Sequence, residues 1–264
     1  MSLPLSIAAE SPLLQQRLAK TLATLPQSFR AKGDAAAAKA VLIAGTGDWA
    51  TRAALAIETG ARAVIVADPG ITEPDAVLAL ADRADEAGVV VELAERYAGD
   101  PTLLGHRPDL IQHLAATSTI LISQVDDFAT PADAALDMAR TLRALGQTLR
   151  VTHIWQTTHC VIVRGTAADK LFEGIATASS AATRQQIDAL GFGRTLRLSL
   201  RGDGSARPSD LRLANAKGER RLPQVFESVD RAALLRTLTA VRNGRRENGT
   251  LRQFADDIAT IRSL

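Results

Sequence analysis

The chain has 264 residues and a mass of 28.0 kDa, a length that allows one large domain or two modest ones. Hydrophobic residues make up 46% and charged residues 23% of the chain, which excludes wholesale disorder. Aromatic residues make up only 3%, so the core must consist of Ala, Leu, Val and Ile. The scarcity of rings and the net charge of +2 argue against nucleic acid as a partner.

Cysteine usage and hydropathy bear on the compartment. A single cysteine, Cys160, excludes an intrachain disulfide and a cysteine-based zinc site, and it fits a reducing compartment. No apolar run approaches the ~20 residues needed to span a bilayer. The segment Met1–Ile7 has no basic start and no sustained apolar core, so a signal peptide is not predicted. We therefore expect a cytoplasmic protein with no membrane partner.

The first hundred residues alternate short strands with helices. The predicted strands at 39–44 and 63–67 are apolar except for Lys39 at the start of the first, as expected where helices cover both faces of a sheet. The alternation predicts parallel pairing through right-handed crossovers. In chain order the predicted elements are strand Leu5–Ala9, helix Leu13–Leu25, a connection over 26–38, strand Lys39–Ala44, helix Thr51–Thr59, strand Ala63–Ala67, helix Thr72–Ala87 and strand Val89–Leu93.

The pattern changes after about residue 100, where the predicted strands become longer and their connections tighter. Alternating faces within 149–156 predict an antiparallel sheet with one covered face. The predicted elements are a mostly helical segment Pro101–Ala116, strands Ile120–Gln124, Leu149–Gln156, His159–Arg164, Arg194–Arg201 and Asp210–Ala214, and helices Pro131–Leu145, Ala167–Leu190, Glu227–Arg242 and Thr250–Leu264. The predicted fold class is therefore α/β. A small, truncated Rossmann-like parallel sheet (domain 1–100) precedes an α+β domain (101–264) with a mostly antiparallel sheet.

One glycine-containing turn has the form of a nucleotide-binding motif. The segment 45–50, Gly-Thr-Gly-Asp-Trp-Ala, follows a predicted strand and opens a helix, and Asp68 ends the next strand. In a dinucleotide fingerprint such glycines let the backbone approach a pyrophosphate, and the acid binds a ribose hydroxyl. An ordinary tight turn explains the same short pattern, and Asp48 would repel a phosphate. Both interpretations stay open.

Three further groups are weaker candidates. His153, His159 and Cys160 flank a predicted hairpin, but adjacent strand residues point to opposite faces, so we favour solvent-facing polar roles over a metal site. Paired carboxylates at 126 and 127 can bind a cation or act as acid and base, but we favour a helix-cap role. Arg96 and its neighbour Tyr97 lie at the predicted domain junction. Arg96 suits a ligand carboxylate or phosphate, or equally an ion pair with Glu95 or Asp100.

Several segments, taken together, resemble the Gfo/Idh/MocA family of nicotinamide-dependent, sugar-type oxidoreductases. Ala40–Ala50 resembles the family's fourth Rossmann strand with its loop, and Ala53–Pro69 resembles the next helix and strand, which normally ends in Glu-Lys-Pro. Ile71–Gly88 resembles the helix that follows. Glu92–Pro101 resembles the Arg-aromatic stretch that enters the substrate domain. Ala134–Gly146 resembles the helix that carries the Asp-x-Gly-x-His-x-x-Asp pattern.

The chain departs from the family pattern where the chemistry lies. The resemblance places the Gly-rich phosphate loop on 9–12, which has no glycine and contains Glu10. The Glu-Lys-Pro tripeptide is Ala-Asp-Pro at 67–69, so an acid replaces the lysine. In the helical motif Asp137 stands, but Ala139, Thr141 and Ala144 replace the glycine, the histidine and the second acid.

The resemblance implies a nicotinamide cofactor, NAD or NADP, and a small-molecule substrate. The resemblance puts Asp68 and Asp137 near the reacting carbon. The glycine-containing turn gives Gly45, Thr46, Gly47 and Trp49 as candidates at the cofactor, and the domain junction gives Arg96 and Tyr97 as candidates at the substrate.

Three functions follow as hypotheses. The first is an NAD(P)-type oxidoreductase acting on a sugar-like or polyol substrate without the usual catalytic lysine and histidine. The second is a non-catalytic binding or accessory protein that keeps the fold and has no cofactor. The third is a conventional nucleotide-binding domain with a genuine fingerprint at 45–68. The resemblance also suggests a homo-oligomer formed through the open face of the C-terminal sheet.

Overall fold

A computed structural model of the chain describes residues 3–8, 12–31, 39–244 and 248–262. The chain divides into two compact units, and each is described by itself below. The first comprises residues 1–95 and 229–258, and the second comprises 96–228 and 259–264. The first unit therefore includes a segment from near the C-terminus. That the chain consists of two consecutive domains, 1–100 and 101–264, stays a prediction.

The described elements alternate regularly in the first unit and become strand-rich in the second. In chain order they are β1 Leu3–Ala8, α1 Pro12–Ala23, β2 Phe29–Ala31, β3 Ala40–Ala44, α2 Trp49–Glu58, β4 Ala63–Ala67, α3 Pro74–Ala87, β5 Val90–Ala94, α4 Pro101–Gly105, α5 Arg107–Leu114, β6 Thr119–Asp126, α6 Pro131–Ala144, β7 Leu149–Thr157, β8 Cys160–Ala167, β9 Lys170–Ala178, β10 Arg184–Gly191, β11 Arg194–Arg201, β12 Asp210–Asn215, β13 Gly218–Arg221, α7 Val229–Arg242 and α8 Gly249–Arg262.

The first unit is built on a five-stranded parallel sheet in the order β2-β1-β3-β4-β5. Every residue of β3 and β4 is buried, which explains their uninterrupted apolar sequences. A core cluster joins these strands to buried leucines of α1 and α7, including Leu18 and Leu234. The predicted parallel sheet is confirmed. The short strand β2 was not predicted, because three residues carry too little pattern to identify a strand.

The second unit is built on an eight-stranded sheet in the order β13-β12-β11-β10-β6-β9-β8-β7. The β6–β9 pair is parallel and the other pairs are antiparallel. Buried and exposed residues alternate along β6, so one face is covered. Helix α6 packs closely on that face, since a Cβ added to Gly174 of β9 would lie 2.4 Å from the Met138 sulfur. The predicted fold class is confirmed.

The predicted helix Ala167–Leu190 is wrong, because the segment forms the strands β9 and β10. Burial alternates with period two, at Lys170, Phe172, Gly174 and Ala176 in β9 and again along β10. The Ala, Glu and Gln residues that favour a helix locally are overridden by pairing with β6, β8 and β11. None of the helices in the described part of the chain is long and apolar enough to cross a membrane.

Candidate functional site

The carboxyl edge of the parallel sheet holds the first group of predicted site residues. With strand order 2-1-3-4-5, the neighbours β1 and β3 lead to helices on opposite faces, and ligands of such folds bind at this switch point. The segment after β1 includes residues 9–11 of the predicted phosphate loop, which lie outside the described residues. The segment after β3 is the loop 45–48, called the Gly45 loop below.

The Gly45 loop is held tightly against the loop that follows β4. The Gly45 amide donates to Ala67 O at 2.6 Å, and the Gly70 amide donates to Gly45 O at 2.8 Å. A Cβ at residue 45 would lie 2.4 Å from Asp68 O, so only glycine permits this approach. The tight-turn interpretation thus explains Gly45 fully. Gly47 differs, because it is exposed with a φ of +64° and open space around it.

Arg52 of α2 binds the backbone at the Gly45 loop through hydrogen bonds to two carbonyl oxygens. Its guanidinium donates to Ala44 O at 2.8 Å and to Thr46 O at 2.6 Å. It also lies 3.5 Å from the exposed Asp48 carboxylate. A positive charge therefore stands beside the loop and offsets the repulsion that Asp48 would exert on an anionic ligand.

Trp49 belongs to the core of the first unit. Its side chain is fully buried, and its Nε1–H donates to Gly70 O at 3.0 Å. Its ring packs edge to face on Phe254 of α8, with centroids 5.7 Å apart. The residue predicted at the cofactor therefore supports the Gly45 loop from within and presents no surface to a ligand.

Asp68 takes part in an ion-pair cluster formed with Arg17 of α1 and Asp230 of α7, called the Arg17 cluster below. Arg17 Nη2 lies 2.9 Å from Asp68 Oδ2, and Arg17 Nε lies 3.0 Å from Asp230 Oδ2. Asp68 has a left-handed backbone with a φ of +51°, which is uncommon outside glycine. Asp68, which stands where the family pattern has a lysine, is thus paired with the Arg17 guanidinium.

Arg96 and Tyr97 meet in the second unit around Asp126, the last residue of β6. Arg96 Nη1 lies 2.6 Å from Asp126 Oδ1 and 3.1 Å from Asp127 Oδ1. The Tyr97 hydroxyl donates to Asp126 Oδ2 at 2.8 Å. Arg96 thus forms an ion pair, with partners other than the predicted Asp100, which instead caps α4 through the amides of residues 102 and 103.

Burial dominates the electrostatics of this group. It raises the pKa of Asp126, against the opposing effect of Arg96. Burial, followed by the nearby carboxylates, raises the pKa of Tyr97 far above its usual range, so the hydroxyl stays a donor. A side-chain hydrogen bond with Asp126 lowers the pKa of Asp127, and Arg96 acts in the same direction. The predicted helix-cap role for the two acids is wrong, because Thr130 caps α6 in a capping box with Asp133.

Asp137 of α6 joins a chain of buried amides. Its Oδ2 accepts from Gln124 Nε2 at 3.1 Å, and Gln124 Oε1 accepts from Gln185 Nε2 at 2.9 Å. Both glutamines are buried neighbours on β6 and β10. Asp137 is therefore oriented by the covered face of the sheet and stays partly exposed.

The histidine–cysteine group lies on the β7–β8 hairpin. In the β7–β8 hairpin Thr157 pairs with Cys160, and His153 pairs with Arg164. His153 and His159 are exposed, as predicted for solvent-facing residues. Within the described ranges no cluster of three or more His, Cys, Asp or Glu side chains is placed to hold a metal ion.

Sequence reasoning missed four contributors to these sites. Arg17 and Asp230 are 213 residues apart, and nothing in the local sequence links either of them to Asp68. Gln124 and Gln185 could have been noticed as polar residues at inward positions of apolar strands, but the second was assigned to a helix.

Comparison with known proteins identifies structures of the same fold. No family model matches the chain, and no curated protein matches it. Solved structures do match. An alanine variant of KijD10, a 3-ketoreductase from Actinomadura kijaniata in complex with TDP-benzene and NADP, has a TM-score of 0.76 at 11% identity, covering 100% of this chain and 97% of that one. The fold is that of the Gfo/Idh/MocA-type oxidoreductases.

Two further structures share this oxidoreductase fold. The UDP-N-acetylglucosamine 3-dehydrogenase GnnA from Acidithiobacillus ferrooxidans has a TM-score of 0.73 at 12% identity, with 100% and 97% of the two chains covered. A dehydrogenase from Chromobacterium violaceum has a TM-score of 0.74 at 14% identity, with 100% and 94% covered. The resemblance predicted from sequence is confirmed at the level of fold. Identities this low show a shared fold, and activity is a separate question.

Proposed function

We propose that the protein is an NAD(P)-linked oxidoreductase that acts on a sugar-like or polyol hydroxyl. The observation that carries this proposal is the position of the Gly45 loop, at the β1/β3 switch point of a parallel sheet. Other proteins support the proposal through their fold, because this chain shares its fold with a 3-ketoreductase described in complex with NADP. The choice between NAD and NADP is part of the test below.

The described residues fit a nucleotide at this edge. Gly47 leaves open space beside an exposed backbone, and Arg52 provides a neighbouring positive charge. Thr46 is exposed and offers a hydroxyl to a ribose or phosphate oxygen. A nicotinamide nucleotide, when bound, supplies or accepts the hydride. The protein must then bind, orient and exchange a proton with the reacting oxygen.

Candidates for proton exchange are the carboxylates of Asp68 and Asp137. The Asp68 side chain is 20% exposed and is held in place by Arg17, so it presents a fixed acceptor at the edge. Asp137 is oriented by Gln124. In the second unit, the candidate for substrate binding is Arg96, which is held by two acids and whose guanidinium has donors suited to a sugar or phosphate oxygen.

A second candidate is a non-catalytic binding or accessory protein of the same fold, with no cofactor. The Arg17 cluster favours it, because ion pairing commits the Asp68 carboxylate to the protein's own cation. The burial of Trp49 also favours the accessory protein, because a side chain packed in the core has no surface left to bind a cofactor.

Titration of the purified protein with NADH and NADPH separates the two candidates. Micromolar binding by calorimetry or nucleotide fluorescence supports the oxidoreductase, and a screen of nucleotide sugars and polyols then follows, with Asp68→Ala as the control. Turnover that is lost in this variant supports Asp68 as the proton acceptor. Absence of binding at millimolar nucleotide rejects the oxidoreductase and leaves the accessory protein.

We also propose that the protein forms homo-oligomers in the cytoplasm through the open face of the eight-stranded sheet. The strand register places five partly exposed apolar side chains on this face: Leu121, Trp155, Leu171, Ile175 and Leu190. These apolar side chains share the face with the ion pairs Arg164–Glu173 and Arg197–Asp188. A second copy of the chain offers apolar groups and charges of both signs to match this mixed surface.

A further inference from the structure

The Arg17 cluster adjoins the Gly45 loop directly. The Asp68 carbonyl oxygen would lie 2.4 Å from a Cβ on Gly45, so the two backbones are in contact. The Asp68 carboxylate is bound to Arg17 at 2.9 Å. A ligand seated at the Gly45 loop would therefore lie close to one fixed cation and one fixed anion at once.

The cluster brings charges of both signs together, and its members differ in exposure. One guanidinium faces two carboxylates, and the side chain of Asp230 is only 4% exposed. Asp230 lies in the first turn of α7, where the helix dipole compensates part of its charge. Asp68 and Arg17 keep 20% and 26% of their side chains exposed, so these two act on a neighbouring ligand.

The backbone conformation of Asp68 is a second feature of this position. Its φ of +51° is left-handed, which is uncommon outside glycine although aspartate tolerates it better than most residues, and such conformations concentrate at functional sites. The Asp68 backbone contacts Gly45, so the acid lies next to the Gly45 loop.

We infer that Arg17 and Asp68 are an opposed charge pair that sets which charge state of the nicotinamide ring the protein prefers. This inference rests on the proposed nucleotide site. The oxidised ring carries a positive charge and the reduced ring is neutral, so Asp68 favours the oxidised form and Arg17 disfavours it. The two residues are thus assigned opposite effects on one measurable ratio.

The test is the ratio of the dissociation constants for NAD⁺ and NADH, measured by calorimetry on the full-length protein and repeated with the NADP pair. Arg17→Met should lower this ratio about threefold to tenfold, and Asp68→Asn should raise it by a similar factor. Arg17→Lys keeps the charge and should leave the ratio near that of the unmodified protein. Asparagine tolerates left-handed backbone, so Asp68→Asn tests the pair even if Arg17→Met does not fold.

Arg236→Met is the matched control, because it removes another partly exposed ion pair of α7, the one with Glu92. It should leave the ratio unchanged. Binding of both nucleotides with a ratio that is constant, or that moves in the same direction in Arg17→Met and Asp68→Asn, would overturn the charge-pair assignment alone. If the unmodified protein binds neither nucleotide, the proposed function fails and the assignment fails with it.

Discussion

Replacement of Trp49 by phenylalanine separates a core role from a ligand-binding role for this residue. The smaller ring keeps an aromatic partner for Phe254 but loses the hydrogen bond from Nε1–H to the Gly70 carbonyl oxygen. Losing the hydrogen bond to the half-buried Gly70 carbonyl costs about 1 kcal/mol, and the smaller ring leaves part of the buried Trp49 volume unfilled. We expect Trp49→Phe to lower the free energy of unfolding by about 2 kcal/mol, and Trp49→Ala by about 3–5 kcal/mol because a cavity is added.

Urea unfolding followed by circular dichroism measures these losses, and nucleotide titration is run on the same samples. Trp155→Phe is the control, since Trp155 is 47% exposed and its loss should change stability by less than about 0.5 kcal/mol. Because the chain has 2 tryptophans, this control also isolates Trp49 fluorescence. Unchanged stability in Trp49→Phe combined with a large loss of nucleotide affinity would refute the core assignment.

Two further predictions concern the second unit. Because burial raises the pKa of Asp126 in the folded protein, its stabilising contribution is complete below the ordinary value of 3.8 and is lost as pH rises through the higher folded value. Asp126→Asn should therefore flatten the decline of unfolding free energy with rising pH, and parallel pH profiles from urea unfolding would contradict this. Trp155→Glu should reduce the particle mass measured by light scattering after size exclusion, because it places a charge on the open apolar face. An unmodified protein that is already monomeric would show the oligomer proposal to be wrong.

The parallel half of the fold follows from local sequence pattern. Ala40–Ala44 and Ala63–Ala67 are apolar at every position, and glycines end the intervening helices, so strand and helix are distinguished by neighbours in sequence. The same holds for α6, whose start is marked by Thr130 and Pro131. Each of these patterns lies within a few consecutive residues, so the sequence alone is sufficient to predict the elements.

The strands β9 and β10 depend instead on their partners. Their residues favour a helix locally, and only pairing with strands up to 71 positions away, as between Thr119 and Leu190, gives them a strand conformation. The burial of Trp49 is similar, because its partner Phe254 belongs to a helix at the far end of the chain.

The sequence by itself determined which chemical groups this protein has at the carboxyl edge: the Gly45 loop and an acid at position 68 where the family pattern has a lysine. Only the tertiary structure decided what those groups do to one another. Arg17 reaches Asp68 across 51 residues and Asp230 across 213, and ion pairing depends on distance in space, which no local pattern encodes. The sequence was therefore sufficient to identify Asp68, but its pairing with Arg17 became known only from the fold.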